Sequence, residues 1–332
     1  MSKGKRRCRG ILTVGAAVAG IYYVLAKFFY HIAFFRERKY PSAMAKEKVK
    51  QVTQSTERER REAEYANQNR EWFRKAGFEE VRIRSFDGLG LRGRYLANPN
   101  PRRIVICVHG YRGSCEHDFC GLAQFYYEND CSLVMVDQRS HGLSEGNVIS
   151  YGVLERYDVL SWARWTADRI SSELPIYITG ISMGSSSVLM ACNLPLPQNV
   201  HGIIADCGFT SPRDIIHCTG KRLVPIPVGP ILWGMERMIR KRAGFSMDDC
   251  STLETLKNNP YPILFIHGEE DTFVPTRMSR RNFAVCPSPK RLVIIAGAGH
   301  GASYVTNQSV YEREVLDFFR DYDGMGNGRY IP

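Results

Sequence analysis

A serine between two glycines is the first candidate for chemistry in this sequence. Gly180, Ser182 and Gly184 form a G-x-S-x-G pattern directly after the apolar run 175–179. A strand that ends in a sharp turn before a small-residue helix exposes a serine hydroxyl as a nucleophile. In a loop the same pattern usually marks only a turn, so its place after a predicted strand decides the interpretation. We predict Ser182 as the nucleophile and the backbone N–H of Met183 as a donor to the oxyanion.

A serine hydroxyl is a poor nucleophile until a neutral imidazole removes its proton, so a histidine must accompany Ser182. His300 lies between two glycines just after the last predicted strand. His141 is the alternative, but it precedes the serine, whereas sites of this type have the chain order serine, acid, histidine. His109 and His267 each precede a glycine at a strand end and are expected to cap loops. We predict His300 as the base.

A carboxylate is needed to fix the imidazole tautomer and to stabilise the imidazolium. Asp271 lies on the loop that follows a predicted strand, on the same edge of the sheet as Ser182. Glu269, Glu270 and Asp206 are alternatives near the same edge. We predict Asp271 as the acid.

The loop 109–113, with the sequence HGYRG, follows the β-branched run 103–108. It is either a plain strand-ending turn or the source of a second oxyanion donor. We predict the backbone N–H of Tyr111 as that donor.

The apolar pattern predicts an α/β fold. Short apolar runs alternate with helix-length segments after a first hairpin-like pair, which is typical of a mostly parallel, eight-stranded sheet covered by helices on both faces. Ligands bind at the carboxyl ends of such strands, where the residues named above lie. The predicted strands are 81–85, 90–96, 103–108, 132–136, 175–179, 200–205, 262–267 and 291–295.

A proline-rich insertion at about 207–260 interrupts this alternation and is predicted to form a small cap over the site. Its Trp233 and Met235, together with Phe273 near the acid, are predicted to line an apolar substrate pocket.

These motifs together resemble the α/β-hydrolase superfamily, and within it the serine aminopeptidase-like branch of bacterial membrane-anchored hydrolases. The likeness runs from about residue 80 to 319. The residues on which the resemblance depends are Ser85–Leu89, Leu91, Gly93, Tyr95, the 109–113 loop, Asp137, Arg139, His141, Gly142, Ser144, Gly146, Ser182, Asp271 and His300.

The resemblance implies serine chemistry on an ester, thioester, amide or short peptide, so a particular substrate rests on analogy. We predict a serine hydrolase acting on a small ester or related acyl substrate. An aminopeptidase or amidase, and a catalytically silent scaffold of the same fold, remain alternatives. No metal or cofactor is expected, because the sequence contains no C-x-x-C motif and no nucleotide-binding loop.

The amino-terminal stretch 11–35 is interrupted only by Lys27 and His31 and is long enough to cross a bilayer. We predict a single-pass membrane anchor that contacts lipid. A cleaved signal peptide, with Ala43 and Ala45 near the cleavage site, is the alternative. Basic residues flank both ends almost equally, so the positive-inside rule gives no orientation. The resemblance implies an extracytoplasmic catalytic domain.

The charge distribution excludes a nucleic-acid-binding catalytic domain. The chain of 332 residues has a net charge of +11, all of it before residue 85. This excess favours anionic lipid near the anchor. We predict a basic tail at 1–10, the anchor at 11–35, a polar helical stalk at 36–79, a catalytic domain at 80–320 and a flexible tail at 321–332. Cys107, Cys131, Cys192 and Cys207 are expected to pack in the core.

Overall fold

The computed structural model describes residues 3–36 and 69–324, with side chains from residue 16 onward. Most of the predicted stalk, 37–68, and most of the predicted tail, 325–332, lie outside the described residues. A first helix, α1 (Lys3–Phe34), is followed after this gap by a helical segment at 69–75 and then by the sheet.

Eight strands form one sheet in the order β1-β2-β4-β3-β5-β6-β7-β8. β1 pairs antiparallel with β2, and β2 pairs antiparallel with β4, whereas all other neighbours are parallel. The predicted fold class, an eight-stranded and mostly parallel sheet, is confirmed. The strands are β1 (Glu79–Arg84), β2 (Gly90–Leu96), β3 (Arg103–Val108), β4 (Cys131–Val136), β5 (Ile176–Ile181), β6 (Val200–Asp206), β7 (Ile263–Gly268) and β8 (Lys290–Ile295).

Helices cover both faces of this sheet. They are α2 (Cys115–Asp118), α3 (Cys120–Glu128), α4 (Glu155–Arg169), α5 (Met183–Ala191), α6 (Pro212–Leu223), α7 (Gly229–Arg242), α8 (Thr252–Thr255), α9 (Arg277–Val285), α10 (Ser303–Thr306) and α11 (Gln308–Tyr322), with a 3-10 turn at Leu256–Asn258.

Alternation along each central strand divides the core into two layers. In β3, Val105 and Cys107 point to a cluster that includes side chains of α3 and α11. Ile104 and Ile106 point to the opposite cluster, which includes side chains of α4 and α5. Successive strand side chains face opposite sides, so a strand buried on both faces is apolar throughout. This explains why the central strands were visible as continuous apolar runs.

The segment after β4 is held by a buried ion pair. The guanidinium of Arg139 donates to both carboxylate oxygens of Asp158 at 2.6 and 2.8 Å and also contacts Asp87. Burial raises the pKa of Asp158 to about 6, although the hydrogen bonds from Arg139 oppose that rise. Asp87 and Arg139, two of the motif residues in the resemblance, therefore fix β4's outgoing loop against the β1–β2 turn and α4.

A third apolar cluster lies above the carboxyl edge of the sheet. It joins the cap helices α6 and α7 to the last turns of α1, where Ala26, Tyr30 and Phe34 are completely buried. A Cβ atom at Gly234 of α7 would lie 2.7 Å from the Cβ of Ala26, so the two helices approach closely at that glycine. The stretch Ala16–Phe34 is also the described helix that is long and apolar enough to cross a membrane.

Candidate active site

Ser182 lies at the sharp turn between β5 and α5. Its backbone has φ 55° and ψ −115°, a conformation that L-residues rarely adopt and that costs about 1–3 kcal/mol. The Ser182 N–H donates to the carbonyl of Asp206 at 2.9 Å, and its own carbonyl accepts from Ser186 N–H at 3.0 Å. Backbone bonds on both sides thus hold the strained residue in place.

His300 lies on the loop after β8, and its ring contacts both other predicted residues. Its Nε2 is 2.9 Å from Ser182 Oγ, and its Nδ1 is 2.7 Å from Asp271 Oδ2. A carboxylate only accepts, so Nδ1 carries the proton and Nε2 is left to accept from the serine hydroxyl. The structure therefore brings Ser182, His300 and Asp271 into one chain of hydrogen bonds.

The carboxylate of Asp271 is buried and accepts four hydrogen bonds. Oδ1 accepts the backbone N–H groups of Phe273 and Val274, each at 2.8 Å. Oδ2 accepts from His300 and, at 3.1 Å, from Nε2 of His267. Burial alone would raise the pKa of this group, but the hydrogen bonds from the two histidines outweigh it and lower the pKa to about 2.

His267 is the residue that sequence reasoning missed. It was expected to cap a loop, whereas its ring is fully buried and contacts Asp271 Oδ2. Its Nε2 faces two acceptors, Asp271 Oδ2 and the Val274 carbonyl at 2.9 Å, and its Nδ1 lies 2.6 Å from Ser279 Oγ. Nε2 is thus the protonated nitrogen. His267 is near the end of β7 and lies four residues before Asp271, and this spacing was the available signal.

The alternatives to Asp271 and His300 make other contacts or face solvent. Asp206 is buried at the end of β6, where its Oδ1 accepts from Ser303 Oγ at 3.0 Å. Glu269 and Glu270 are exposed. His141 Nε2 accepts the N–H of Arg112 at 2.9 Å, and burial lowers the pKa of His141 to about 3. His141 therefore stays neutral and supports the 109–113 loop.

The loop 109–113 lies directly beside the serine. A Cβ atom at Gly110 would be 3.4 Å from the Cβ of Ser182, and Tyr111 lines the same cavity as Ser182. Met183 is buried at the first position of α5. The two predicted oxyanion donors are therefore on the segments that flank Ser182, and their role stays a prediction.

A cavity of about 210 Å³ extends from Ser182 under the cap. None of the described side chains that line it is charged. Of the three residues predicted to line a substrate pocket, Met235 and Phe273 line this cavity and Trp233 does not. The Trp233 side chain is 63% exposed on the outer face of α7 and lies under the guanidinium of Arg237 at 4.9 Å. Met235, two residues further along the helix, takes the inward direction instead, because positions two apart point to different sides of a helix.

Comparison with known proteins gives the family. A model of the prolyl oligopeptidase family matches residues 139–326, more than half of the chain. The chain belongs to the prolyl oligopeptidase family. The matched region includes the serine, the acid, the histidine and the cap, and it omits β1 to β4.

Individual relatives of this prolyl oligopeptidase family member are distant. YqkD of Bacillus subtilis is 25% identical over 237 residues, which cover 71% of this chain and 77% of that protein. YfhR of Escherichia coli is 22% identical over 72% of this chain and 80% of that protein. The Pyrococcus furiosus esterase Pf2001 is 20% identical, covers 75% of this chain and 94% of that chain, and superposes with a TM-score of 0.60. The α/β-hydrolase fold is thereby confirmed, and the chain is a hydrolase of that type.

One group of described residues has the composition of a metal site. A cysteine sulfur, a carboxylate oxygen and an imidazole nitrogen from Cys207, Asp271 and His300 lie within 4.8 Å of one another. Zinc requires a thiolate, yet burial, followed by the nearby carboxylates of Asp206 and Asp271, raises the pKa of Cys207 well above its usual value. Both ring nitrogens of His300 are already hydrogen-bonded. The arrangement of this family member suits proton transfer better than metal binding.

The low pKa of Asp271 predicts an acid-dependent loss of stability. Its folded pKa of about 2 lies below the unfolded value of about 3.9, so the ionised carboxylate stabilises the fold above about pH 4. That contribution, roughly 2 kcal/mol, disappears as the pH falls from about 4 through 2. Urea denaturation at pH 6 and pH 2.5 will measure it. We expect the stability difference between the wild type and Asp271→Asn to shrink by about this amount, and an unchanged difference would contradict the assignment of these hydrogen bonds.

Proposed function

We propose that this chain is a membrane-anchored serine hydrolase that cleaves an ester or a related acyl bond through Ser182, His300 and Asp271. The observation that carries the proposal is the pair of hydrogen bonds of 2.9 and 2.7 Å that links the three side chains. The strained backbone of Ser182 and the adjoining apolar cavity support it.

In this mechanism, His300 Nε2 removes the proton of Ser182 Oγ while that oxygen attacks the substrate carbonyl. The negative charge on the tetrahedral oxygen is stabilised by the backbone N–H groups of Tyr111 and Met183. The imidazolium then gives its proton to the departing alcohol, which leaves an acyl-enzyme. Water, activated by the same imidazole, releases the acid. Asp271 stabilises the imidazolium and remains ionised throughout.

The lining of the cavity favours an ester over an amino-terminal peptide. An aminopeptidase must hold a substrate ammonium, which requires an acidic partner when it leaves water. Within residues 16–36 and 69–324, no charged side chain lines the cavity next to Ser182. An acyl chain fits such a surface without a charged partner. The serine aminopeptidase-like branch is therefore a proposal about ancestry and not about substrate.

The anchor is the second part of the proposal. Ala16–Phe34 has the length and composition of a membrane span, and most of its large apolar side chains are exposed. The basic residues at 1–10 fit an anionic membrane surface. We place the catalytic domain outside the cytoplasm, as the sequence resemblance implies. A signal peptide cleaved near residue 45 would remove Tyr30 and Phe34 from the buried cluster above the site, which favours a retained helix.

The family match keeps an amidase as the second candidate, and a substrate comparison separates the two. The purified full-length chain in detergent should hydrolyse 4-methylumbelliferyl butyrate with a kcat/KM at least about a hundredfold above that for alanine and proline 7-amido-4-methylcoumarin. The reason is that the part of the site that the structure describes offers no acidic partner for the ammonium group of either amide. Dominant amide turnover would overturn the ester proposal. A folded chain that neither turns over any substrate nor takes up a fluorophosphonate would be a silent scaffold.

A further inference from the structure

We propose that the substrate is a long-chain acyl ester dissolved in the membrane, and that the end of the anchor helix forms one wall of the pocket that receives its chain. This inference rests on the proposed function, because it requires Ser182 to attack an ester. It assigns α1 a second role in addition to anchoring.

The last turns of α1 are part of the cavity. Phe29, Ile32 and Ala33 line the same space as Ser182, across from the cap helices α6 and α7. Tyr30 and Phe34, which belong to the same turns, are completely buried. The anchor therefore enters the domain at the site itself rather than at a distant edge.

Hydrogen bonds fix this helix end to the loop beside the serine. Helix carboxyl ends leave carbonyl groups without helical partners. The carbonyl of Ile32 accepts from the Arg112 guanidinium at 2.6 Å and from the Tyr111 hydroxyl at 3.0 Å, and the carbonyl of Ala33 also accepts from Tyr111. The carbonyl of Phe34 accepts from Ile149 N–H at 2.7 Å. The wall is thus held by the segment that also carries the proposed oxyanion donor.

Just before this docked end, the same helix is exposed and apolar. From residue 16 onward, where side chains are described, five large side chains of α1 that do not line the cavity are 47–64% exposed: Val18, Ile21, Tyr23, Val24 and Phe28. Ile32 continues that surface, since it lines the cavity and is still 46% exposed. The surface that faces lipid therefore continues into the pocket.

The rim of the cavity is also apolar and exposed. Leu223 at the end of α6 and Phe273 on the acid loop both line the cavity and are 62% and 42% exposed. Contiguous exposed apolar groups around a pocket mark a surface for an apolar partner.

Basic residues adjoin these exposed apolar side chains. Lys221 and Arg222 precede Leu223, and Arg237 covers the exposed ring of Trp233. Tryptophan and basic residues beside an apolar surface are typical of the membrane interface and of anionic headgroups.

This arrangement determines the class of substrate. An ester with a long chain stays in the bilayer, and its chain would pass along Ile32 into a cavity without charge until the carbonyl reaches Ser182. The chain passes from the hydrocarbon of the bilayer into an apolar cavity, so its methylene groups do not cross water on the way, a crossing that would cost about 0.8 kcal/mol for each of them. A short ester reaches Ser182 from water and contacts little of this apolar lining.

The test uses the full chain reconstituted in phosphatidylcholine and phosphatidylglycerol vesicles, with 4-methylumbelliferyl acetate and palmitate as substrates. Ala33→Trp fills the wall from α1, and Ile32→Trp is a second variant at the mouth. We expect each to lower kcat/KM for palmitate at least about tenfold while acetate changes less than about twofold. Val24→Trp, on the exposed part of the same helix and outside the cavity, should leave both substrates unchanged.

Dilution of the ester in the vesicle surface tests whether it enters the cavity from the membrane. When phospholipid is added at constant total palmitate ester, the ester is diluted in the surface, so the rate should fall in proportion while acetate hydrolysis stays constant. A rate of palmitate ester hydrolysis that does not change with added phospholipid would overturn the proposal that the ester enters from the bilayer. Equal losses of both esters, or none, in the two tryptophan variants would overturn the wall. Absence of hydrolysis of both esters by the folded wild type would instead refute the proposed function.

Discussion

Replacing His300 with alanine is expected to lower kcat for ester hydrolysis by about 10⁴-fold or more, and Ser182→Ala should reach a similar residual rate. In the proposed mechanism the two side chains act as one unit, because the hydroxyl reacts only while Nε2, 2.9 Å away, accepts its proton. The double variant should therefore be no slower than either single variant. Steady-state kinetics with 4-methylumbelliferyl butyrate, together with fluorophosphonate labelling, measures this. A His300→Ala enzyme within tenfold of the wild type would show that another base serves Ser182.

The two buried aspartates provide the matched control. Asp271 accepts from Nδ1 of His300 at 2.7 Å, whereas Asp206 accepts from Ser303. Asp271→Asn should lower kcat by about 10³- to 10⁴-fold, because an amide no longer selects the imidazole tautomer that leaves Nε2 free to accept. Asp206→Asn preserves the acceptor for Ser303 and should change kcat less than about tenfold. The reverse order of effects would assign the acid to Asp206.

Much of the fold could be predicted from the sequence, because its strands correspond to short apolar patterns along the chain. The central strands are buried on both faces, so they read as continuous apolar runs, and their predicted bounds differ from the observed bounds by at most two residues. The places of Ser182, Asp271 and His300 followed from the same strands, since the carboxyl ends of parallel strands meet at one edge. Neighbouring glycines then identified which turns are sharp.

Contacts between distant segments were not readable in the same way. The role of His267 depends on how the loop after β7 folds back, so that its ring and that of His300 meet the same carboxylate oxygen. Trp233 was placed in the pocket from its composition, whereas the rotation of α7 against α1 turns Met235 inward. A closely packed contact such as that between Gly234 and Ala26 sets this rotation, and two segments more than 200 residues apart create it.

The amino-terminal helix α1 illustrates the same limit. Its apolar composition predicted a membrane span, and composition carries no information about which surface the helix end meets. In the structure its last turns bury Tyr30 and Phe34 under the cap and bond to the loop that carries Tyr111. The site is therefore assembled from parts before and after the segment 37–68. A preparation that begins after α1 would lack one wall of the cavity.

Gly184→Ala is expected to destabilise the fold by at least about 4 kcal/mol, even though it adds a single methyl group. A Cβ atom there would lie 2.0 Å from the carbonyl oxygen of Val108 and 2.6 Å from that of His109, and backbone in the centre of the sheet cannot move aside as a flexible side chain can. The turn at Ser182 requires this close approach of α5 to β3. Gly229→Ala, in a helix position with nothing within 4 Å of the added atom, is the matched control and should leave stability unchanged or raise it by up to about 1 kcal/mol. Thermal and urea denaturation of both variants measures the difference. Equal stabilities would mean that α5 does not pack against β3 as closely as this turn requires.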